Sequence, residues 1–245
     1  MKKEKKIKIL MSGGSGLLGR YISAIDPNII APKHSEMDVL DVESIVRHID
    51  KHQPKVFLHC AAFTSPPKCD QDPIKAIQNN IIGTANVTQV CSKKGVRLIY
   101  VSTDYVFRGY KGMYKEDDEL LPQNKYAWSK LGGECAVRLY DNSLIIRTSF
   151  CPEVFAYEKA FIDHFTSRDS VVVIAKMIYS LVTNLKANGI VHVGTERKTV
   201  KDLAIKLGKK NIGDLKREEV PFVVPYDTSL DTSKLKKYIK NEERW

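Results

Sequence analysis

Tyr126 and Lys130 stand four residues apart in the run Tyr126-Ala127-Trp128-Ser129-Lys130. In a helix that spacing puts a phenol and an ammonium on one face. A cation beside the ring favours phenolate, so Lys130 is expected to pull the tyrosine below its reference pKa of about 10. A phenol tuned in this way can exchange a proton with a carbonyl or hydroxyl oxygen while hydride moves to or from carbon. Of the eleven tyrosines, only this one has a lysine at the fourth following position. The pattern alone recurs in unrelated chains, and Val101-Ser102-Thr103-Asp104-Tyr105 is what gives it weight. These residues close a strand-like run, and parallel sheets bind ligands at the carboxyl ends of their strands. The Thr103 hydroxyl is placed there to hydrogen-bond the reacting oxygen; the alternative is that Ser102 and Thr103 merely finish a strand. Asn80 is a polar residue between Ile77 and Ile81. It reads either as a support for a water or backbone kink linking Lys130 to solvent, or as a buried structural amide.

Hydride chemistry needs a dinucleotide, and Ser12-Gly13-Gly14-Ser15-Gly16-Leu17-Leu18-Gly19 is where one would bind. Gly13, Gly16 and Gly19 fit G-x-x-G-x-x-G, while Gly14, Gly16 and Gly19 fit G-x-G-x-x-G. Either pattern lets backbone N–H groups and a helix N-terminus approach a pyrophosphate, with Ser15 and Leu17 among the contacts. Glycine turns serve many purposes; this one follows the first strand and opens a helix, which is the context dinucleotide binding requires. The acidic ribose ligand usual after the second strand is missing, because Asn28–Pro32 leads to Lys33 and His34. Lys33 can neutralise a 2′-phosphate, which tilts the cofactor toward NADP(H) over NAD(H); an exposed loop lysine is the alternative. Asp38, before Val39, is placed to meet the adenine edge.

The elements that must position these groups alternate between strand and helix. Apolar runs at Ile7–Met11, Asn28–Ala31, Val56–Ala61, Arg97–Thr103 and Ser143–Ser149 read as strands. Helical spacing is expected after Gly19, over Asp41–His52, over Ile74–Lys94 up to Gly95, and over Pro122–Tyr140. The rhythm predicts an α/β, Rossmann-type doubly wound parallel sheet of about seven strands. Residues 1–150 form the dinucleotide-binding domain, and residues 151–245 form a small substrate lobe interwoven with it. In that lobe Val171–Lys186 reads as a helix, Ile190–Gly194 as a strand, and Thr199–Leu207 as a helix opened by a Thr-x-x-Asp cap.

A chain of 245 residues with 43% hydrophobic content suffices for one such unit and its lobe. The basic MKKEKK start lacks the apolar stretch of a signal peptide, and no apolar run is long enough to span a membrane. A cytoplasmic protein without membrane contact is expected. Cys60, Cys69, Cys91, Cys135 and Cys151 contain no CxxC and read as reduced thiols, and no metal-ligand spacing occurs. The net charge of +10 is spread over chain ends and helix surfaces without a nucleic-acid-binding signature. A solvated surface is the expected reading, for Lys216 and Arg217 as well; a phosphate-bearing ligand that uses part of the charge is the alternative.

The order and spacing of several segments resemble the extended short-chain dehydrogenase/reductase superfamily, in its dTDP-4-dehydrorhamnose reductase-like branch. They are Gly13–Gly19, Cys60–Thr64, Asn80–Asn86, Ser102–Phe107, Tyr126–Lys130 with Gly133-Glu134, and Arg147–Phe150. The resemblance covers about the first 150 residues, and Ser-Thr-Asp-Tyr-Val-Phe is its most specific part. It implies Thr103, Tyr126 and Lys130 as catalytic residues, with Lys130 and Tyr126 also at the nicotinamide ribose. It implies Ala61, Ala62 and Asn80 along the cofactor, and Thr64, Asp104, Tyr105 and Phe150 around a nucleotide-sugar substrate. The implied activity is NAD(P)H-dependent reduction of a keto group on a nucleotide-linked deoxysugar, in a possible homodimer. Two alternatives stay open: an epimerase using the same triad, and a non-catalytic dinucleotide-binding regulatory subunit. Dehydratases add an acidic pair near Thr103, whereas here Asp104 is followed by Tyr105. Phe150 stands where the family often has tryptophan, and Cys151–Val173 is compressed.

Overall fold

The computed structural model describes residues 7–239; the MKKEKK segment and the end of the lysine-rich tail lie outside the described residues. In chain order the first half contains β1 (Ile9–Ser12), α1 (Leu17–Ile25), α2 (Val42–His52), β2 (Val56–His59), α3 (Pro66–Gln71), α4 (Pro73–Ala76), α5 (Gly83–Lys94), β3 (Arg97–Thr103), α6 (Lys125–Val137) and β4 (Ser143–Thr148). The second half adds β5 (Phe150–Cys151), β6 (Lys159–Phe161), β7 (Phe165–Thr166), β8 (Asp169–Ser170), α7 (Val171–Thr183), β9 (Gly189–Val193), β10 (Lys198–Thr199), α8 (Val200–Lys206) and β11 (Gly213–Leu215). A π-helical stretch, Ile77–Ile82, joins α4 to α5.

β1, β2, β3, β4 and β9 form one parallel sheet in that order. Its strands are mostly apolar and mostly buried because both faces are covered. Ile9, Met11, Val56, Leu58, Ile99 and Ile146 enter one core with α1 and α7. The alternate residues Leu10, Phe57, Leu98, Tyr100 and Ile145 enter a second core with α2, α5 and α6. This is a three-layer Rossmann-type arrangement. The helices on each side are held mainly by such burial: truncating Ile22 or Ile178, both fully buried, to alanine costs about 2–5 kcal/mol.

The central sheet has five strands where about seven are expected. The Asn28–Ala31 run contributes one bridge, Ile30 against Leu10, because Pro32 and the turn after Asp26 leave it too short to continue pairing. The apolar residues 37 and 39 close the second core from a loop instead. The other shortfall is in residues 151–170, whose strands are two- and three-residue pairs away from the sheet. α2 and α8 begin at Asp41 and Thr199, whose side chains accept from the Ser44 and Asp202 amides, and α8 has the reciprocal Asp202 contact of a capping box. No helix among the described residues is long and apolar enough to cross a membrane.

Candidate active site

The glycine turn runs directly from β1 into α1. Gly13 adopts φ +77°, and a Cβ there would lie 2.6 Å from the Ala61 nitrogen. At Gly19 a Cβ would lie 2.3 Å from the Gly13 carbonyl oxygen. These two glycines let the turn fold tightly against β2 and onto α1. Gly16 differs, since a Cβ there would meet only the Gly13 oxygen, at 3.2 Å. It faces the cleft. No side chain caps α1, so its first-turn N–H groups are left for an anion. The turn and its uncapped helix therefore fit the pyrophosphate of a dinucleotide.

Beyond the carboxyl ends of β1, β2, β3 and β4 lies a cleft of about 580 Å³. Gly13, Ser15, Gly16, Leu17 and Gly19 line one end; Thr103, Tyr126 and Lys130 line it further along, with Ala61 and Ala62 beside them. Thr64, Asp104, Tyr105 and Phe150 also line it. The end of β3 supplies Thr103, and the first turns of α6, capped by Asn124 accepting from the Ala127 amide, supply Tyr126 and Lys130.

The electrostatics differ from the expectation that Lys130 lowers the Tyr126 pKa. The protein packed around its phenol raises it above the usual 10, the Asp104 carboxylate adds to this, and the Thr103 hydroxyl works the other way. The Lys130 ammonium instead lies 4.2 Å from the centre of the Tyr100 ring. Burial lowers its pKa to about 7. Its charge is spent on a neighbouring aromatic face and on its own desolvation, which is the physical reason for the difference. Burial also raises Asp104, to about 6, against the pull of Arg168 and Thr103.

Behind the cleft, Glu134 anchors the end of the sheet. Its carboxylate accepts from Arg147 at 2.5 Å and from Ser102 at 3.0 Å, and both charged side chains are fully buried. Asn80 is also behind the wall. Its Oδ1 accepts from the Phe63 amide at 2.7 Å, while Nδ2 donates to the Phe63 carbonyl at 2.9 Å and to Ser129 at 2.8 Å. It staples the Ala61–Thr64 loop to α6 from within the π-helical stretch.

Three residues expected at the cofactor thus do not line the cleft: Asn80, Lys33 and Asp38. Lys33 is exposed at the rim, between the cleft-lining Pro32 and His34. Asp38 turns its Oδ1 to the Leu40 amide, leaving Val39 to line the cleft. Among the lining residues given no role from sequence are His34 and Arg168. The Arg168 Nε donates to Ser149 at 2.9 Å. Burial works against its charge, but Tyr105 and Asp104 more than offset this and raise its pKa. The signal was nonlocal, since only pairing of β5 with β8 brings residue 168 beside residue 149.

A family model described as "RmlD substrate binding domain" matches residues 7–178. A probable low-salt glycan biosynthesis reductase, Agl14, of Haloferax volcanii is 35% identical over 146 residues, which is 59% of this chain and 48% of that protein. The methionine adenosyltransferase 2 subunit beta of Rattus norvegicus is 36% identical over 141 residues, 53% of this chain and 42% of that protein. The chain spans about half the length of the curated relatives it matches. Among solved structures, a hypothetical dTDP-4-dehydrorhamnose reductase from Sulfolobus tokodaii superposes with a TM-score of 0.84 at 30% identity, covering 96% of each chain. The fold is shared with the Bacillus anthracis dTDP-4-dehydrorhamnose reductase solved in complex with NADP, at a TM-score of 0.84 and 23% identity over 96% of this chain and 92% of that one. With the glycine turn and the tyrosine–lysine pair in one cleft, and a family model matching most of the described residues, the chain belongs to the RmlD substrate binding domain family, in the dTDP-4-dehydrorhamnose reductase-like branch of the extended short-chain dehydrogenase/reductases.

Proposed function

We propose that this protein is an NAD(P)H-dependent reductase of a keto group on a nucleotide-linked deoxysugar. The observation that carries the reading is that Thr103, Tyr126 and Lys130 line the same cleft as the Gly13–Gly19 turn. A bound reduced nicotinamide supplies hydride. The first-turn amides of α1 hold the pyrophosphate, and Lys130 binds the nicotinamide ribose. Tyr126 gives a proton to the oxygen as it gains charge, a contribution of roughly 10²–10⁴-fold for such an acid. Its raised pKa keeps the phenol protonated and ready to donate at neutral pH. Thr103 orients the carbonyl, and Thr64, Asp104, Tyr105 and Phe150 surround the sugar. NADP(H) is favoured because Lys33 and His34 stand together at the rim where a 2′-phosphate would be met.

The test follows NAD(P)H absorbance with a panel of dTDP-, UDP- and GDP-linked 4-keto-6-deoxysugars. Turnover by the wild type and its collapse in Tyr126→Phe, with cofactor affinity retained, is the expected result. Oxidation of the cofactor by no panel member overturns the reading. A second reading, a dinucleotide-binding subunit of a partner enzyme, is favoured by the likeness to a protein named as a subunit. Tight NADPH binding without turnover would select it.

A further inference from the structure

Arg168 enters the cleft from the position just before β8, and Asp104, Tyr105, Ser149 and Phe150 line the cleft with it. Its backbone is fastened on both sides. The Arg168 amide donates to the Thr166 hydroxyl at 3.0 Å, and its carbonyl accepts from Lys198 Nζ at 3.1 Å. The next residue, Asp169, accepts from Thr195 and from Lys206, each at 2.7 Å. Lys198 and Asp169 are both buried, so a desolvated polar framework fixes where this one side chain stands. From there its Nε donates to Ser149 at 2.9 Å. Asp104 is 1% exposed, and its Oδ1 takes the one hydrogen of the Thr103 hydroxyl at 3.1 Å. Among the described residues, the ionisable groups that act on this carboxylate are Arg168, from the segment before β8, and Tyr126, from α6. Burial raises the Asp104 pKa, and Arg168 is the strongest pull against that rise. Asp104 acts on Arg168 in turn by charge, while Tyr105 does so by charge and by a hydrogen bond.

An ionised Asp104 obstructs keto reduction in two ways. It keeps the Thr103 hydrogen from the substrate oxygen, and its charge opposes the negative charge that oxygen gains as hydride arrives. A cation that closes on the carboxylate removes both obstacles. The Lys130 ammonium is engaged with the Tyr100 ring, whereas Arg168 already acts on Asp104. A guanidinium carries several donors in a planar fork that matches a carboxylate, and the bond from Nε to Ser149 uses only one of them. We propose that Arg168 is a positioning residue, which takes up the Asp104 carboxylate as Thr103 turns its hydrogen to the keto oxygen of the substrate. This rests on the reductase reading above. No covalent bond changes in the step. The hydrogen bond from Thr103 to Asp104 is exchanged for one from Thr103 to the substrate and one from Arg168 to Asp104. Arg168 then serves the reaction through Asp104 without touching the reacting atoms.

The test measures kcat and KM with the keto-sugar panel at saturating NADPH, at about pH 5.5 and about pH 8, for the full chain. The ratio of variant to wild-type kcat cancels the ionisation of Lys130, which both share. Arg168→Gln should lower kcat at about pH 8 by roughly tenfold or more, the loss typical of a charge-assisted contact. At about pH 5.5 the loss should be small, because a protonated Asp104 needs no counter-ion. KM should change far less than kcat, and Arg168→Lys should recover part of the rate. In an Asp104→Asn background Arg168→Gln should lose its effect, since the amide has no charge to be held. A merely structural role would lower activity equally at both pH values and in both backgrounds, and that result overturns the proposal. Turnover indifferent to Arg168→Gln does the same, and the reductase reading survives either outcome. A second measurement needs no turnover: urea midpoints against pH for Arg168→Gln and for Arg168→Gln with Asp104→Asn. Without the arginine, the fall in stability that depends on Asp104 should extend to higher pH than in the wild type. That shift in a chain that never oxidises NADPH removes the reductase, and the step with it, while the pairing of Arg168 with Asp104 stands. A fall at the wild-type pH removes the pairing.

Discussion

The hydroxyl of Thr103 donates to Oδ1 of Asp104 at 3.1 Å, and both side chains are buried. The same oxygen accepts from the Tyr105 amide at 3.2 Å. A hydroxyl has one hydrogen to give, so donation to a substrate oxygen requires Thr103 to leave Asp104. Thr103→Val keeps the shape and removes this donor. It should lower kcat more than it raises KM, as steady-state kinetics with the substrate panel can check.

Asp104 should also burden the fold at neutral pH. Its folded pKa of about 6, raised chiefly by burial, exceeds the usual 3.8. The native state therefore binds the proton more tightly, and stability falls as pH rises between about 4 and 6. Asp104→Asn should remove this slope. On the order of 3 kcal/mol is at stake, read as a difference in urea midpoint from wild type that is present at pH 7.5 and shrinks at pH 4.

Lys130 shows the opposite sign. Burial depresses its pKa to about 7 from 10.5, so the lysine in the free protein is losing its charge just above neutrality. A ligand that needs the ammonium must restore the proton. NADPH binding at pH 8 should take up protons, and its affinity should fall as pH rises through about 7 and beyond. Calorimetry in buffers of different ionisation enthalpy measures the uptake, and Lys130→Met should abolish it.

The buried Glu134–Arg147 pair makes a stability prediction. Removing one partner strands a buried charge, which typically costs 3–5 kcal/mol. For Arg147→Met a loss of about 3 kcal/mol is expected by urea denaturation at pH 7, since Arg138 still reaches the carboxylate at 2.9 Å. Burial opposes ionisation of Glu134, yet Arg147 holds its pKa below the usual 4.5. The stabilisation is thus present above that range and lost as pH falls through the lowered value.

The glycine turn separates binding from folding. Gly16→Val places a branched side chain where only the Gly13 oxygen is near; the fold should survive and NADPH binding should vanish. Gly19→Val puts its Cβ 2.3 Å from that oxygen, so the melting temperature should fall as well. Equal melting temperatures for the two variants would contradict the geometry.

Much of this site was legible because its signals are local. Gly13–Gly19 follows a strand and opens a helix within a dozen residues, and Tyr126 and Lys130 meet on one helical face. The strand Arg97–Thr103 has its expected limits because every position is apolar or closes a buried end. Arg168 and His34 were not legible, since neither stands in a periodic pattern and both are brought to the cleft by loops folding back. α3 was hidden by its two prolines, which start a helix as readily as they end one. The Lys130 charge was misjudged because spacing brings it near Tyr126 but says nothing of Tyr100, thirty residues earlier in the chain and beneath the ammonium.

The π-helical stretch has a consequence for how this chain tolerates insertion and deletion. A π turn accommodates one residue more than α-helical winding. Loss of a single residue from Ile77–Ile82 would let the stretch rewind as α-helix, with the segments before and after it keeping their relation. What would go is the wide turn itself: Asn80 would leave Phe63 and Ser129, and the loop bearing Thr64 would lose its fastening. Ile77 and Ile82 are 43% and 47% exposed, so their identities are open to exchange while their number is not. One wall of the cleft hangs on a residue that the helix itself could do without.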